Sequence, residues 1–388
     1  MTNSDSKDPS RKTGASARKP AIGRRRFLTT GGTAIAAAAA AAPLATPAIA
    51  QGTIRWRMVT SWPRNLPGPG VHAQIVADRI AQASGGRLEV ELLAAGELVP
   101  GDGVFDAVSE GTAEMYHSVP AYWGSKSPGF LLFGSQPFGL RADEQVGWLA
   151  HGGGQALYDE IYGRFGLKGF LSGNTGPQWA GWFRNEIHSV DDLRGLRFRT
   201  TGLASRMCSK LGMAVQAMSG AAMFQALQTG AIDAGEFIGP WTDSALGYHQ
   251  VAKFLYWPGV GEPSSAEEVV CNREAFDALP ADLQQVIQGV AEARYLLSWM
   301  EYATMHARAL PQLVAEAEVQ VRELPTDVME AMGDAAGEVM AELREDSDEL
   351  VRRIIESFLA YRSSIDPYMV YADAGILNAR RLNYSFPS

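Results

Sequence analysis

The sequence predicts an α/β protein built as two lobes tied together by long carboxyl-terminal helices, and three observations carry that prediction. Strand-like and helix-like stretches alternate near the start of the chain, a second set of short strand candidates follows, and a helical period then runs almost to the end. The opening "TIRWRMVTSW" alternates and is rich in branched and aromatic residues. "HAQIVADRIAQASGG" carries apolar residues at helical spacing and stops at a glycine pair, and "RLEVELLAAGEL" alternates again. "FDAVSEGTAEMYHSV" repeats the scheme as a short helix feeding a strand, so this part reads as a lobe with mainly parallel strands. In the second set, "LKGFLSG", "PQWAGWFRN", "LRFRTTG" and "AIDAGEFIG" are strand candidates, with the helical "LASRMCSKLG" and "GAAMFQALQTG" between them. After "SAEEVVCN" the pattern is helical from Pro280 through Val321 and again from Asp327 to Ile365.

The first fifty residues read as an address. An arginine cluster, Arg24 to Arg26, precedes an alanine-built apolar stretch that ends in Ala48-Ile49-Ala50. This is the layout of a twin-arginine export signal removed on export, so residues 1–50 are expected to be cleaved and the protein to be periplasmic. That segment holds eight Lys/Arg against two Asp/Glu, so its removal takes the formal net charge from −9 to −15. So acidic a surface repels nucleic acid and anionic membrane, and any anion must be held by a local cationic site. The export compartment permits a Cys208–Cys271 disulfide, but a chain of this size does not require one, and two buried free thiols are the favoured reading.

Catalytic signatures are absent: there is no G-x-S-x-G, H-E-x-x-H, S-x-x-K or C-x-x-C after the leader, and no chemical step is expected. His72, His117, His151, His188, His249 and His306 show no metal-ligand spacing. One rival remains. "GPGVHA", Gly68 to Ala73, matches the G-x-G-x-x-A dinucleotide fingerprint between a strand and a helix, which would make the chain an exported nicotinamide-dependent oxidoreductase. The loop before it, "SWPRNLPGPG", is long and holds three prolines where that fingerprint needs a tight turn.

Arg199 is the strongest candidate for a binding role. It is the last strand-like residue of "LRFRTTG", and in open α/β sheets ligands bind beyond the carboxyl ends of the strands. A guanidinium there offers a carboxylate two parallel hydrogen bonds, with Arg197 as its solvated neighbour. Glu236, in "AIDAGEF", would stand at the same kind of edge. A carboxylate beside an anionic ligand requires protonation, an arginine partner or a bridging cation. A hard cation could draw oxygens from Glu236, from Gln178 and from backbone carbonyls, with Asp233 and Glu262 as competing acids.

Taken together, "TSWPRN", "GELVPGDGVFDAVSEGTAEM", "DDLRGLRFRTTG", "MFQALQTGAIDAGEF" and "EVVCNREAFDALP" resemble the DctP-type substrate-binding proteins of TRAP transporters, from about Thr53 to the final helices. The resemblance implies a periplasmic binding protein fold with hinged lobes. On this sequence lobe I is placed at 51–175 plus 265–305, and lobe II at 176–264 plus 306–388 with the long spanning and carboxyl-terminal helices. It further implies that Arg199 forms the main salt bridge to the substrate carboxylate, and that delivery is to membrane permease subunits. "GPQW" and "DAGEFIGPW" resemble the metal-dependent branch for 2-oxo and 2-hydroxy acids such as pyruvate or lactate. There Gln178, Glu236 and the carbonyl of Phe237 would ligate a sodium or calcium ion, and Tyr122, Trp123, Trp179 and Glu262 would line the pocket. Phe237 departs from the tryptophan expected there. In that branch homodimers form by exchange of carboxyl-terminal helices, for which the amphipathic run from Val328 to Tyr361 is suited.

Overall fold

A computed structural model of the chain describes residues 52–385, so the expected leader lies outside the described residues. The chain opens with β1 (Ile54–Thr60), α1 (Pro69–Ala83), β2 (Leu88–Leu93), α2 (Val104–Ser109) and β3 (Met115–Ser118), followed by α3 (Ala142–His151), α4 (Gly154–Gly163) and β4 (Leu167–Asn174). A run of short elements comes next: β5 (Gly181–Phe183), β6 (Arg197–Arg199), α5 (Gly202–Lys210), β7 (Ala214–Gln216), α6 (Gly220–Thr229), β8 (Ala234–Gly235), α7 (Pro240–Ala245) and β9 (Phe254–Trp257). The last part is β10 (Ala266–Asn272), α8 (Ala281–Glu316), β11 (Gln320–Glu323), α9 (Thr326–Asp346) and α10 (Glu349–Met369).

These strands form two sheets, ordered β2-β1-β3-β10-β4 and β11-β9-β5-β8-β6-β7. In the first sheet β1 pairs in parallel with β2 and β3, and β10 runs antiparallel between β3 and β4. The chain therefore crosses between sheets three times: after β4, before β10, and along α8. The third crossing is held at both ends by apolar burial. Leu283, Ile287 and Ala291 on α8 enter the core under the first sheet, while Tyr302 and Leu313 enter the core beside the second. Burying each such side chain contributes roughly 1.5–3 kcal/mol, so a three-turn stretch on either lobe resists peeling.

Three expectations change. The helical pattern read through Val321 stops at Glu316, because Glu318 takes a left-handed conformation (φ 55°) and "QVRE" alternates as β11, which extends the second sheet beside the unanticipated β9. Residues 306–388 do not stay with the second lobe either. The start of α9 packs there through Val328 and Met332, but its end (Val339, Leu343) and all the buried residues of α10 (Leu350, Val351, Ile354, Ile355, Phe358) join Phe130, Trp148 and Ile161 in the first lobe's core. "LKGFLSG", grouped above with the second set, is β4 of the first sheet. Among the described residues no helix is long and apolar enough to cross a membrane.

Candidate functional site

Three residues of β6 and two of β8 set the site. The strands lie parallel, with Arg199 opposite Gly235, so Arg199 and the next residue after β8, Glu236, emerge at one sheet edge. Gly235 is required here: a Cβ at that position would sit 2.9 Å from the Arg199 Cβ and 2.8 Å from the Met223 methyl. The side chain of Arg199 is 2% exposed. Its Nε donates to the Met218 carbonyl (2.9 Å), and Nη1 donates both to the Glu236 carbonyl and to Glu236 Oε1 (3.2 Å). The Phe237 ring lies under the guanidinium at 5.4 Å, adding a cation–π contact, and Gly220 leaves room for that ring. These bonds use Nε and Nη1, and the Tyr122 hydroxyl lies within hydrogen-bonding reach of the same guanidinium.

Arg199 lines a cavity, a partly open space of about 410 Å³ between the lobes, continuous with solvent. From the second lobe come Arg199, Glu236 and Phe237. Tyr122 faces them from the 3₁₀ turn Pro120–Trp123 that follows β3, and Gln178, Thr175, Glu262 and Ser265 are supplied by the two crossing loops. Those loops are bonded to each other: Thr175 N–H donates to the Ser265 carbonyl (2.9 Å) and Ser265 N–H to Thr175 Oγ1 (3.1 Å).

One acceptor in this space lacks a partner, and two buried carboxylates stand beside it. Gln178 donates through Nε2 to Thr175 Oγ1 (3.2 Å), but its Oε1 is buried with no hydrogen bond. Burial raises the Glu236 carboxyl above its ordinary range against the pull of Arg199. Glu262 is pushed well up, first by burial and then by the charge of Glu236. A carboxylate pair and an amide oxygen around one arginine form an oxygen-only donor set of the kind a hard cation takes. Among the described residues no group of three or more His, Cys, Asp or Glu could hold a metal, so a cation here would depend on amide, carbonyl and ligand oxygens.

Of the residues singled out in the sequence, Arg199, Gln178, Glu236, Phe237, Tyr122 and Glu262 all line this cavity. Trp179 does not. It lines a neighbouring space of about 320 Å³ that shares Glu236 and Glu262 as a wall, because the chain turns at Gln178 and sends consecutive side chains to opposite sides. Trp123 points into the first lobe's core and donates to Glu268 (2.9 Å). Asp233 is not a competitor for the cation, since it pairs with Arg197 at the surface (Nε to Oδ2, 2.8 Å). Cys208 and Cys271 are free and lie in different cores, with burial raising the Cys208 thiol to about 12. The glycines of "GPGVHA" serve packing: Gly68 has a positive φ and lies beneath the Tyr302 ring, and a Cβ on Gly70 would meet the Pro63 carbonyl at 2.6 Å. An eight-residue loop separates β1 from α1, which removes the tight turn a dinucleotide site needs.

Sequence reasoning missed the apolar wall of Trp62, Pro69, Val119 and Ala121, and it missed Glu267 on β10. Its oxygens are held from behind by His72 Nδ1 (2.9 Å) and the Tyr302 hydroxyl (2.7 Å). The one signal for it was a pair of adjacent acids inside the otherwise apolar run "SAEEVVCN".

Comparison with known proteins places these features. The DctP description, bacterial extracellular solute-binding protein, family 7, matches residues 67–346. The chain is 38% identical over 312 residues, 80% of this chain and 85% of the relative, to the monocarboxylate 2-oxoacid-binding periplasmic protein of Nostoc sp. (strain PCC 7120). A TRAP periplasmic solute-binding protein from Pseudoalteromonas atlantica T6c, solved with bound sodium and pyruvate, superposes with a TM-score of 0.81 at 33% identity, over 84% of this chain and 99% of that one. A TRAP transporter solute-binding protein from Bordetella bronchiseptica RB50, a mixed-occupancy dimer with copurified calcium and picolinate, gives 0.82 at 31% identity, over 84% and 97%. The two-lobed fold and the arginine-centred cavity accord with this, and the chain belongs to the DctP family of bacterial extracellular solute-binding proteins.

Proposed function

We propose that this receptor captures a small 2-oxo or 2-hydroxy monocarboxylate, such as pyruvate or lactate, in the periplasm and hands it to the membrane permease subunits of a TRAP transporter. The observation that carries the proposal is the buried Arg199 guanidinium lining an interlobe cavity in which Gln178 Oε1 has no hydrogen-bond donor. The ligand carboxylate is bound by the Arg199 guanidinium, beside the Tyr122 hydroxyl that reaches it from the opposite lobe. A sodium or calcium ion held by Gln178, Glu236 and the Phe237 carbonyl, with Glu262 close by, would neutralise the carboxylates and let the ligand's own oxygens complete the shell. Because the groups come from both lobes and both crossing loops, a ligand satisfies them together only when the lobes are closed, so binding shifts the open–closed equilibrium. No bond is made or broken.

The sodium–pyruvate and calcium–picolinate complexes of the similar proteins support the cation-bridged reading. The partner in the membrane and cleavage after residue 50 follow from the family and from the leader. A homodimer through the carboxyl-terminal helices is also part of the proposal. Tyr368, Val370, Tyr371, Ile376, Leu377 and Leu382 project at 51–83% exposure from a segment, 368–382, in which no residue is buried, and a second copy would cover them.

The test is calorimetric titration of pyruvate into protein stripped of cations and then into protein given sodium or calcium. The expected result is saturable one-to-one binding with no turnover, at least about tenfold tighter with cation present. Equal affinity in both conditions would remove the bridge, and no binding in either would remove the ligand class.

A further inference from the structure

Glu267 stands apart from the other carboxylates at the cavity. Burial alone would raise its pKa, but His72 and Tyr302 outweigh burial and hold it at about 2, so it is ionised at any physiological pH. His72 lies within 3.3 Å of Glu301 on its other side, and Arg294 lies 3.7 Å from Glu301, so the cluster is anchored in α1, β10 and α8. Trp62 Nε1 donates to His117 Nδ1 (2.9 Å), which puts the proton of this neutral ring on Nε2, facing Glu267 Oε2 at 3.8 Å. Gly173 on β4 makes the position possible, since a Cβ there would collide with the carboxylate. Of the titratable groups in this cluster, Glu267 alone reaches the cavity wall.

The wall around it is apolar, built from Trp62, Pro69, Val119 and Ala121, and Arg199 is the sole cationic side chain lining the cavity. A ligand whose carboxylate is bound at Arg199 turns its remaining atoms toward the other lining groups. We infer that Glu267 makes this cavity reject ligands that carry a second carboxylate, by presenting at the wall the anionic member of an ion pair whose imidazolium does not line the cavity, on the side away from Arg199 and the cation that take the first carboxylate. The inference rests on the monocarboxylate reading above and names the residue that enforces it. It is a repulsive element of specificity: a methyl or branched alkyl end meets the apolar wall, while a carboxylate end is desolvated against a like charge. The Glu267–His72 pair also explains why the repulsive charge cannot escape by taking up a proton.

Oxaloacetate and 4-methyl-2-oxopentanoate test the idea, because the branched alkyl end of the second has nearly the outline of the carboxylate of the first. Calorimetry on the full chain is expected to give wild type a preference of about 100-fold or more for 4-methyl-2-oxopentanoate. Glu267→Gln should narrow that ratio at least about tenfold, mainly through tighter oxaloacetate binding. The paired variant His72→Gln/Glu267→Gln removes both charges of the Glu267–His72 pair and should narrow the ratio equally. It also serves if the single variant fails to fold. Relaxation in the single variant alone would mean that an uncovered imidazolium attracts the dianion, and would overturn the inference. So would an unchanged ratio in both variants, or exclusion of both ligands by wild type, which would make size the criterion. Pyruvate titration of wild type separates this outcome from failure of the monocarboxylate reading itself, since the ratio is read only once pyruvate binds.

Discussion

Glu268 on β10 and Glu236 at the end of β8 are both buried carboxylates, yet they are surrounded in opposite ways. Glu268 accepts hydrogen bonds from the Tyr116 and Tyr158 hydroxyls (3.0 and 2.6 Å), the Trp123 indole (2.9 Å) and the Tyr162 hydroxyl. Glu236 and Glu262 share one arginine, with the unpartnered Gln178 oxygen at the same cavity. Where the fold supplies enough donors, a buried charge is part of the framework. Where two buried acids share a single arginine, a deficit of positive charge remains.

The largest effect expected from this contrast is on stability. Glu268→Ala strands three hydroxyls and an indole N–H, and should cost about 3 to 5 kcal/mol, read as a lower urea midpoint. Ligand affinity of the folded protein should be unaffected. A loss of affinity without a loss of stability would place Glu268 in the site and dissolve the contrast.

The second expectation concerns the ion pair behind the cavity. Burial by itself would lower the His72 pKa, but Glu267 and Glu301 raise it from 6.5 to about 9. A cation whose folded pKa is raised stabilises fully below the unfolded value and loses that contribution as pH climbs through the folded one. The protein should therefore lose about 3 kcal/mol between pH 6.5 and 9. Glu267, with its pKa depressed to about 2, keeps its own contribution above 4.5 and loses it only as pH falls toward 2. Melting curves across pH 6 to 9.5 should show the alkaline decline in wild type and a flat line in His72→Gln. A decline of the same slope in the variant would assign it elsewhere.

A smaller effect is expected at the amide. Gln178→Ala removes one neutral oxygen, and should weaken pyruvate binding by about 1 to 3 kcal/mol when cation is present, with little effect in cation-free buffer. Equal losses in both buffers would mean that Gln178 touches the ligand and not an ion.

Much of the second lobe's contribution was legible because it is local. Arg199 ends a short strand before "TTG" and Glu236 ends another before "FIG", so the rule that ligands sit beyond strand ends reached both from a few residues each. Gln178 was reached as an amide oxygen near the strand ends and through the resemblance of "GPQW", though without showing that Trp179 would fall on the other side of the turn. Glu267 and Glu268 escaped for the opposite reason. Adjacent strand residues face opposite ways, and each acid is satisfied by partners far away in the chain, His72 at a separation of 195 residues and Tyr116 at 152. No local window contains them. β11 was lost because "EAEVQV" continues a helical pattern until the left-handed turn at Glu318 breaks it. The destination of α10 depended on which lobe offered an apolar face, and periodicity does not carry that information.

The central claim is that the Arg199 guanidinium anchors the ligand carboxylate, and titration of pyruvate into Arg199→Ala in cation-containing buffer tests it most directly. The expected loss is about 2 to 5 kcal/mol, some 30-fold to several thousand-fold in Kd, with the fold intact by circular dichroism. Wild-type affinity in a folded Arg199→Ala protein would contradict the account.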